Sequence, residues 1–236
     1  VRHRQQVLIR FSELLLENKD ELALLESIET GHPIGDSLNV DVPSAARSFR
    51  WYGESLDKIY DEIAPTPRSA LALITREPLG VIGAVVPWNY PLIISSWKLA
   101  PALAAGNSVV LKPAENTNLA SLRLAELAIE AGLPVGVLNV VTGFGHEAGD
   151  ALTRHPGIDH ISFTGSPNIG KLVVQTAAEH HTPVTTELGG KSPQVVFADA
   201  DFDAMVPVLV NAIVQNAGQT CSAGSRVLVE IGRAHV

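Results

Sequence analysis

One cysteine, one methionine and three tryptophans occur in 236 residues. Each scarcity excludes something. A single thiol, Cys221, rules out a disulfide within the chain. It suits a reducing compartment, and a cytoplasmic location is expected. Charged residues make up 18%, below the ~25% of an average soluble domain, which is the reverse of what a disordered chain needs. The net charge of −8 is spread without a block of one sign. The basic footprint of a nucleic-acid binder is therefore missing. Apolar runs such as residues 79–86 fall far short of the ~20 residues of a membrane span. Residues 1–10 are basic and mixed, without the apolar core of a signal peptide. Neither a nucleic-acid nor a membrane partner is expected. The eight histidines are scattered apart from His180-His181, and no Cys/His pair has ligand spacing, so no metal site is expected. The serine nucleophile pattern G-x-S-x-G is also missing.

What is present is material for a core: 46% of residues are apolar. The length fits one or two domains on a prior of ~150 residues each. The first sixty residues read as helical. Val7, Leu8, Phe11, Leu14 and Leu15 recur at helical spacing. Leu22, Leu25 and Ile28 continue after a break at 18–20, and Gly31 and Pro33 stop that run. A further helix is expected from Pro43 to about Ile59, opened by Asp41 or Ser44. Residues 70–76 read as extended. Strands are expected at 79–86, 108–111, 137–141, 158–163, 184–188 and 194–197. Helices are expected at 92–105, 117–131, 146–154, 166–179 and 203–216, with Leu119, Leu122, Leu127 and Ala131 as the buried face of the second. Short strands alternating with helices indicate βαβ units. The fold class is α/β: a Rossmann-like open parallel sheet flanked by helices, with the start of a second α/β domain.

Ligands of such sheets bind beyond the carboxyl ends of the strands. After the first strand stands Pro87-Trp88-Asn89-Tyr90-Pro91, an amide in a backbone fixed by two prolines, which suits an oxyanion donor or an ordinary turn. Lys112 and Glu115 follow the second strand as a nucleotide-binding or a merely solvated pair. Gly143-Phe144-Gly145-His146-Glu147-Ala148-Gly149 nearly matches the dinucleotide fingerprint, and a generic tight turn fits it equally. Phe163-Thr164-Gly165-Ser166 opens a helix and turns N–H groups toward an anion. Glu187, beside Gly189 and Gly190, suits a general base. Cys221, in Gly218-Gln219-Thr220-Cys221, reads as a nucleophile or as a buried small hydrophobe.

Taken in order, these strings resemble the aldehyde dehydrogenase superfamily from about Val7 to Val229. Trp97-Lys98, residues 100–107 and Gly132-Leu133-Pro134 belong to the same series. The resemblance implies that Cys221 attacks an aldehyde carbon. Asn89 and the Cys221 backbone N–H then hold the oxyanion, and Glu187 activates the water that cleaves the thioester. Lys98 matches a buried lysine next to the active site. For the cofactor, the resemblance implies Lys112 and Glu115 at the adenosine ribose and Gly145 and Ile169 at adenine. Ser166 falls at the pyrophosphate, with Thr164, Leu188 and Trp88 around the nicotinamide. Val86, Pro87, Phe163, Gly165 and Gly189 complete the cofactor set. A carboxylate at Glu115 accepts ribose hydroxyls and repels a 2′-phosphate, so NAD is expected ahead of NADP.

Trp51-Tyr52 and residues 57–65, 75–86 and 140–149 resemble the branch oxidising γ-glutamylaminobutyraldehyde and related ω-aminoaldehydes. Residues 187–193 instead follow the common family pattern, and Asn118 stands where many members have proline. A small aldehyde is the expected partner, in a homodimer or homotetramer. The division expected is 1–60 as the helical part of the cofactor domain, 61–78 as part of an oligomerisation arm, 79–189 as the NAD-binding domain and 190–230 as the start of a catalytic domain. Residues 231–236 depart from the family pattern. With Glu230 they are what GAG-ATC-GGA-AGA-GCA-CAC-GTC encodes, which resembles a sequencing adapter, so a non-native tail is expected. The chain reads as a piece cut at both ends and inactive by itself. Two other classes remain at this level. A non-catalytic dinucleotide-binding protein has no need of Cys221, Glu187 and Asn89. A cysteine thioester or ester hydrolase has no need of Lys112, Glu115 and Ser166.

Overall fold

Helix α1 (Arg2–Glu17) forms on the spacing noted above, and Val7, Leu8, Phe11, Leu14 and Leu15 are all buried. The structure, a computed structural model, describes residues 1–230, so the expected non-native tail at 231–236 lies outside the described residues. Helix α2 (Lys19–Thr30) ends at Gly31, whose φ of 79° is the left-handed conformation that glycine adopts without a Cβ penalty. It buries Leu22, Ala23 and Glu26. Ile28, expected on that face, is exposed instead, and a carboxylate has taken the buried position.

The short turn α3 (Ile34–Asp36) and a wide helical turn, Ser37–Asp41, run straight into α4 (Val42–Ser55). The expected start at Pro43 is therefore early in an already helical segment. Asp41 makes no cap and is buried against His32. The helix closes with a 3-10 turn at Leu56–Lys58, short of Ile59. Phe11 and Phe49 join α1 to α4, with ring centroids 4.3 Å apart.

A two-stranded antiparallel ribbon follows, β1 (Glu62–Ala64) with β2 (Ala72–Ile74). The expected strand at 70–76 shrinks to its centre. Its partner β1 carries no apolar alternation that a sequence reading can detect.

Five strands then make one parallel sheet: β3 (Val81–Val85), β4 (Ser108–Lys112), β5 (Leu138–Val140), β6 (His160–Gly165) and β7 (Val184–Leu188). Their order is β5-β4-β3-β6-β7. The connections are α5 (Pro91–Ala105), α6 (Leu119–Glu130), a turn at Gly145–Gly149 with α7 (Asp150–Thr153), and α8 (Pro167–Ala177). Eleven of the fifteen residues of α5 are buried, because the helix lies between the sheet and the N-terminal helices. In α6 the buried residues are Ala120, Ser121, Leu124, Leu127 and Ala128. Leu119 and Leu122, expected inside, are exposed. They lie on the opposite side of a 3.6-residue period from Leu124 and Leu127, so the small residues decide the packing face.

The chain leaves β3 toward β4 and β5, then returns to the other side of β3 at β6. This reversal makes the carboxyl ends of β3 and β6 the topological switch point. Beyond β7, β8 (Pro193–Val196) pairs in parallel with β9 (Arg226–Val229), and α9 (Phe202–Val214) connects them. The strand β9 was not expected, since all four of its residues are exposed.

Candidate active site

The register aligns the strand ends. Val85 pairs with Lys112 and with Phe163, and Thr164 pairs with Glu187. The functional strings follow these positions directly. The Pro87–Pro91 turn leaves β3 and enters α5 through Pro91 in its first turn, where a missing N–H costs nothing.

This turn holds the cysteine loop. Asn89 Nδ2 donates to the Gln219 carbonyl at 2.8 Å, and Asn216 Nδ2 donates to the Asn89 carbonyl at 3.3 Å. The Tyr90 hydroxyl lies 2.9 Å from Thr220 Oγ1. Burial, the leading cause, raises the Tyr90 pKa and keeps its hydroxyl neutral. An amide has two N–H donors. One from Asn89 is spent on Gln219, while the side chain lines the cleft in front of Cys221. The loop itself is strained. Asn216, Ala217 and Gly218 have φ of 49°, 53° and 77°. An alanine in the left-handed region costs about 1 kcal/mol, and the three side-chain bonds hold it there. Cys221 is exposed.

Lys98, on α5, is buried, and its Nζ donates to Ser162 Oγ of β6 at 2.9 Å. Burial lowers its pKa to about 8, against the opposing pull of Glu187, which raises it. Lys98 and the carboxylate at the end of β7 therefore share one electrostatic environment.

An open cleft of about 540 Å³ unites Pro87, Trp88, Asn89, Thr164, Gly165, Ser166, Leu188, Gly189 and Cys221. Val86 and Phe163 are buried behind it. Glu187, Lys98 and Ile169 are not in its wall, and neither are Lys112, Glu115 and Gly145, which belong to the ends of β4 and β5. There Lys112 Nζ lies 3.6 Å from Glu115 Oε2, with the lysine buried and the carboxylate half exposed. Burial lowers the Lys112 pKa, more than Glu115 raises it. Ser166 caps α8 and accepts from the Ile169 N–H at 3.3 Å, and Ile169 is exposed one turn into that helix. The start of an eleven-residue helix thus borders the cleft and suits an anion. Together with the half-exposed Glu115 carboxylate as a hydroxyl acceptor, these residues fit a dinucleotide. Close packing supports the geometry. A Cβ on Gly170 would stand 2.6 Å from Leu188 Cδ2, so glycine lets α8 approach β7.

Sequence reasoning did not assign roles to Tyr90, Asn216, Gln219 or Thr220. All but Asn216 lay inside quoted motifs. Their contacts join positions about 130 residues apart, which no local pattern reveals.

The sequence pattern of the aldehyde dehydrogenase family matches residues 1–235. The NADP/NAD-dependent aldehyde dehydrogenase PuuC of Escherichia coli (strain K12) is 54% identical over 229 residues, covering 96% of this chain and 46% of PuuC. The crystal structure of a gamma-glutamyl-gamma-aminobutyraldehyde dehydrogenase from Burkholderia cenocepacia J2315 matches with a TM-score of 0.95 and 50% identity, over 97% of this chain and 46% of that one. The indole-3-acetaldehyde dehydrogenase AldA of P. syringae, in complex with NAD+, matches with a TM-score of 0.96 and 51% identity, over 98% and 47%. The chain spans about half the length of the relatives it matches. With its whole described length accounted for by that pattern, the chain belongs to the aldehyde dehydrogenase family.

Proposed function

We propose that this chain is the cofactor-binding half of an enzyme that oxidises an aldehyde to a carboxylic acid with NAD. The observation that carries this reading is the junction of the Asn89 turn with the Cys221 loop over one cleft. Cys221 Sγ attacks the aldehyde carbon, and the carbonyl becomes an oxyanion. The second N–H of Asn89 and the Cys221 backbone N–H stabilise that charge, each worth on the order of 3 kcal/mol. Bound NAD would supply the hydride acceptor for the substrate carbon. A thioester on Cys221 remains. Glu187 removes a proton from water, which attacks the thioester carbonyl and releases the acid and the thiolate. Lys98, held by Ser162, balances the charge of Glu187.

For the cofactor, Ser166 and the first turn of α8 would hold the pyrophosphate, and Lys112 and Glu115 the adenosine ribose. Gly145 and Ile169 would take the adenine. Trp88, Thr164 and Leu188 would take the nicotinamide, with Val86, Pro87, Phe163, Gly165 and Gly189 completing the set. Glu115 favours NAD, and the name of the E. coli relative carries both NADP and NAD. Residues 61–78, which include the exposed ribbon β1–β2, form an oligomerisation arm of a homodimer or homotetramer, and 190–230 begin the catalytic domain. The location is cytoplasmic.

The substrate is a small ω-aminoaldehyde, supported by the likeness to the γ-glutamylaminobutyraldehyde enzyme. An arylacetaldehyde is the second reading, supported by the likeness to the indole-3-acetaldehyde enzyme. The test uses a chain extended to the length of its relatives. NADH formation is measured with aminoaldehydes and indole-3-acetaldehyde. Cys221→Ser is expected to lower kcat by about 10⁴ or more. NADH formation that survives the loss of the thiol overturns the covalent route. Ester cleavage without NAD reduction favours a hydrolase, and NAD binding without turnover favours a binding protein.

A further inference from the structure

Three ionisable side chains meet away from the cleft. Glu26 comes from α2, His32 from the turn after it and Asp41 from the end of the wide turn before α4. All three are buried. His32 Nδ1 lies 2.8 Å from Asp41 Oδ2. In the tautomer whose Nδ1–H donates to Asp41 Oδ2, Nε2 presents a lone pair. Among the described residues, His32 Nε2 has no hydrogen-bond partner, and neither has Glu26 Oε2. The other Glu26 oxygen accepts only a long bond, 3.4 Å, from the Leu92 N–H. Two carboxylates and one imidazole thus share a buried site in which two polar atoms are unsatisfied.

We propose that Glu26, His32 and Asp41 bind a divalent cation of the zinc class. One donor atom from each residue lies within 4.8 Å of the other two. Donors at ~2.1 Å from a tetrahedral ion stand ~3.4 Å apart, so side-chain shifts of about 1 Å complete the geometry. One imidazole with two carboxylates suits zinc, cobalt or manganese better than calcium or magnesium, which take oxygen ligands. His32 and Asp41 also line a cavity of about 680 Å³ shared with Tyr90 and Asn216. That cavity supplies an entry path and room for water as a further ligand. The His32 ring meets Tyr90 edge-on, with centroids 4.9 Å apart. Tyr90 in turn holds Thr220, so the ion fixes the support of the cysteine loop without touching it. The role is structural.

The test uses the purified chain carrying Cys221→Ser, which removes the competing thiolate. It is loaded with cobalt(II), desalted and analysed for metal content and visible absorption. About one cobalt per chain is expected, with ligand-field bands that zinc abolishes. His32→Gln and Glu26→Gln each lower the affinity about tenfold or more. The Glu26→Gln side chain keeps an acceptor for the Leu92 N–H, and circular dichroism checks folding. Retention equal in both variants assigns the metal to surface histidines and overturns the proposal. Where the variants do not fold, the parent chain decides alone. A stoichiometric ligand-field spectrum supports the site, and its absence overturns it.

Discussion

Lys98 carries a charge that its surroundings oppose. Its pKa falls from 10.5 to about 8 because the ammonium is desolvated, with Glu187 offsetting only part of this. A depressed lysine destabilises the fold at low pH. Below about pH 8 both states are protonated and the full penalty, about 3 kcal/mol, is present. Between pH 8 and 10.5 the unfolded chain binds more protons than the folded one, so stability rises with pH. Lys98→Met is expected to be more stable than the parent at pH 7 by about 2 kcal/mol, after ~1 kcal/mol is lost at the Ser162 hydroxyl. The difference shrinks toward pH 10.5. Denaturant unfolding of both chains across this range checks it, and a difference constant with pH would rule out buried charge as the cause. At this scale the site was partly legible. Cys221 and Asn89 stand in short strings bounded by glycine or proline, and the fold brings both to one cleft, while Glu187 is not in its wall. Glu26, His32 and Asp41 were not legible. They are spread over sixteen positions of helical sequence, where charged residues ordinarily face water, and only the fold brings them together.

The elements were legible where an apolar run had to be buried on both faces. Strands β3 and β4 are such runs, whereas β6 alternates, with Ile161 and Phe163 buried between polar residues. Reading failed where burial was weak or where the face was set by small residues. In β1 and β9 pairing rather than burial defines the strand. In α6 the expected face was half right: Leu127 and Ala131 are buried, but Ala120, Leu124 and Ala128 take the places given to Leu119 and Leu122. The helix most directly tied to function is α8. Its first turn opens with Pro167, which has no N–H, and Ser166 accepts from the Ile169 N–H through its side chain and from the Gly170 N–H through its carbonyl. Ser166→Ala is expected to cost about 1 kcal/mol of stability without cofactor. The melting temperature should fall by about 2–4 °C. An unchanged melting temperature would mean that water caps the helix equally well.

Across the whole molecule, burial is uneven. The N-terminal helices and the sheet share a continuous core from Val7 to Leu138, and a second cluster around Ile161 and Phe163 covers the other face. Helix α9 differs. It carries Met205, Val206, Val208, Leu209, Val210, Ile213 and Val214, and none of its residues is buried. It packs beside β8 and β9 through Gly224 N–H to the Ala212 carbonyl at 2.9 Å, and there Val195, Val227 and Leu228 are exposed as well. A helix apolar on all sides is stable in water only when something covers it. Exposed apolar patches of this kind drive association. The chain is therefore expected to self-associate through this surface, seen as a sedimentation coefficient that rises with concentration and as binding of an apolar dye. Val208 is 66% exposed, so Val208→Glu places a charge in the patch without disturbing the core. It should return the chain toward a monomer and reduce dye binding. Val208 is not in the wall of the Cys221 cleft, so the proposed NAD binding should not change. Association that persists in Val208→Glu would locate the contact elsewhere, with the exposed ribbon β1–β2, carrying Ile63, Leu73 and Ile74, as the next surface to charge.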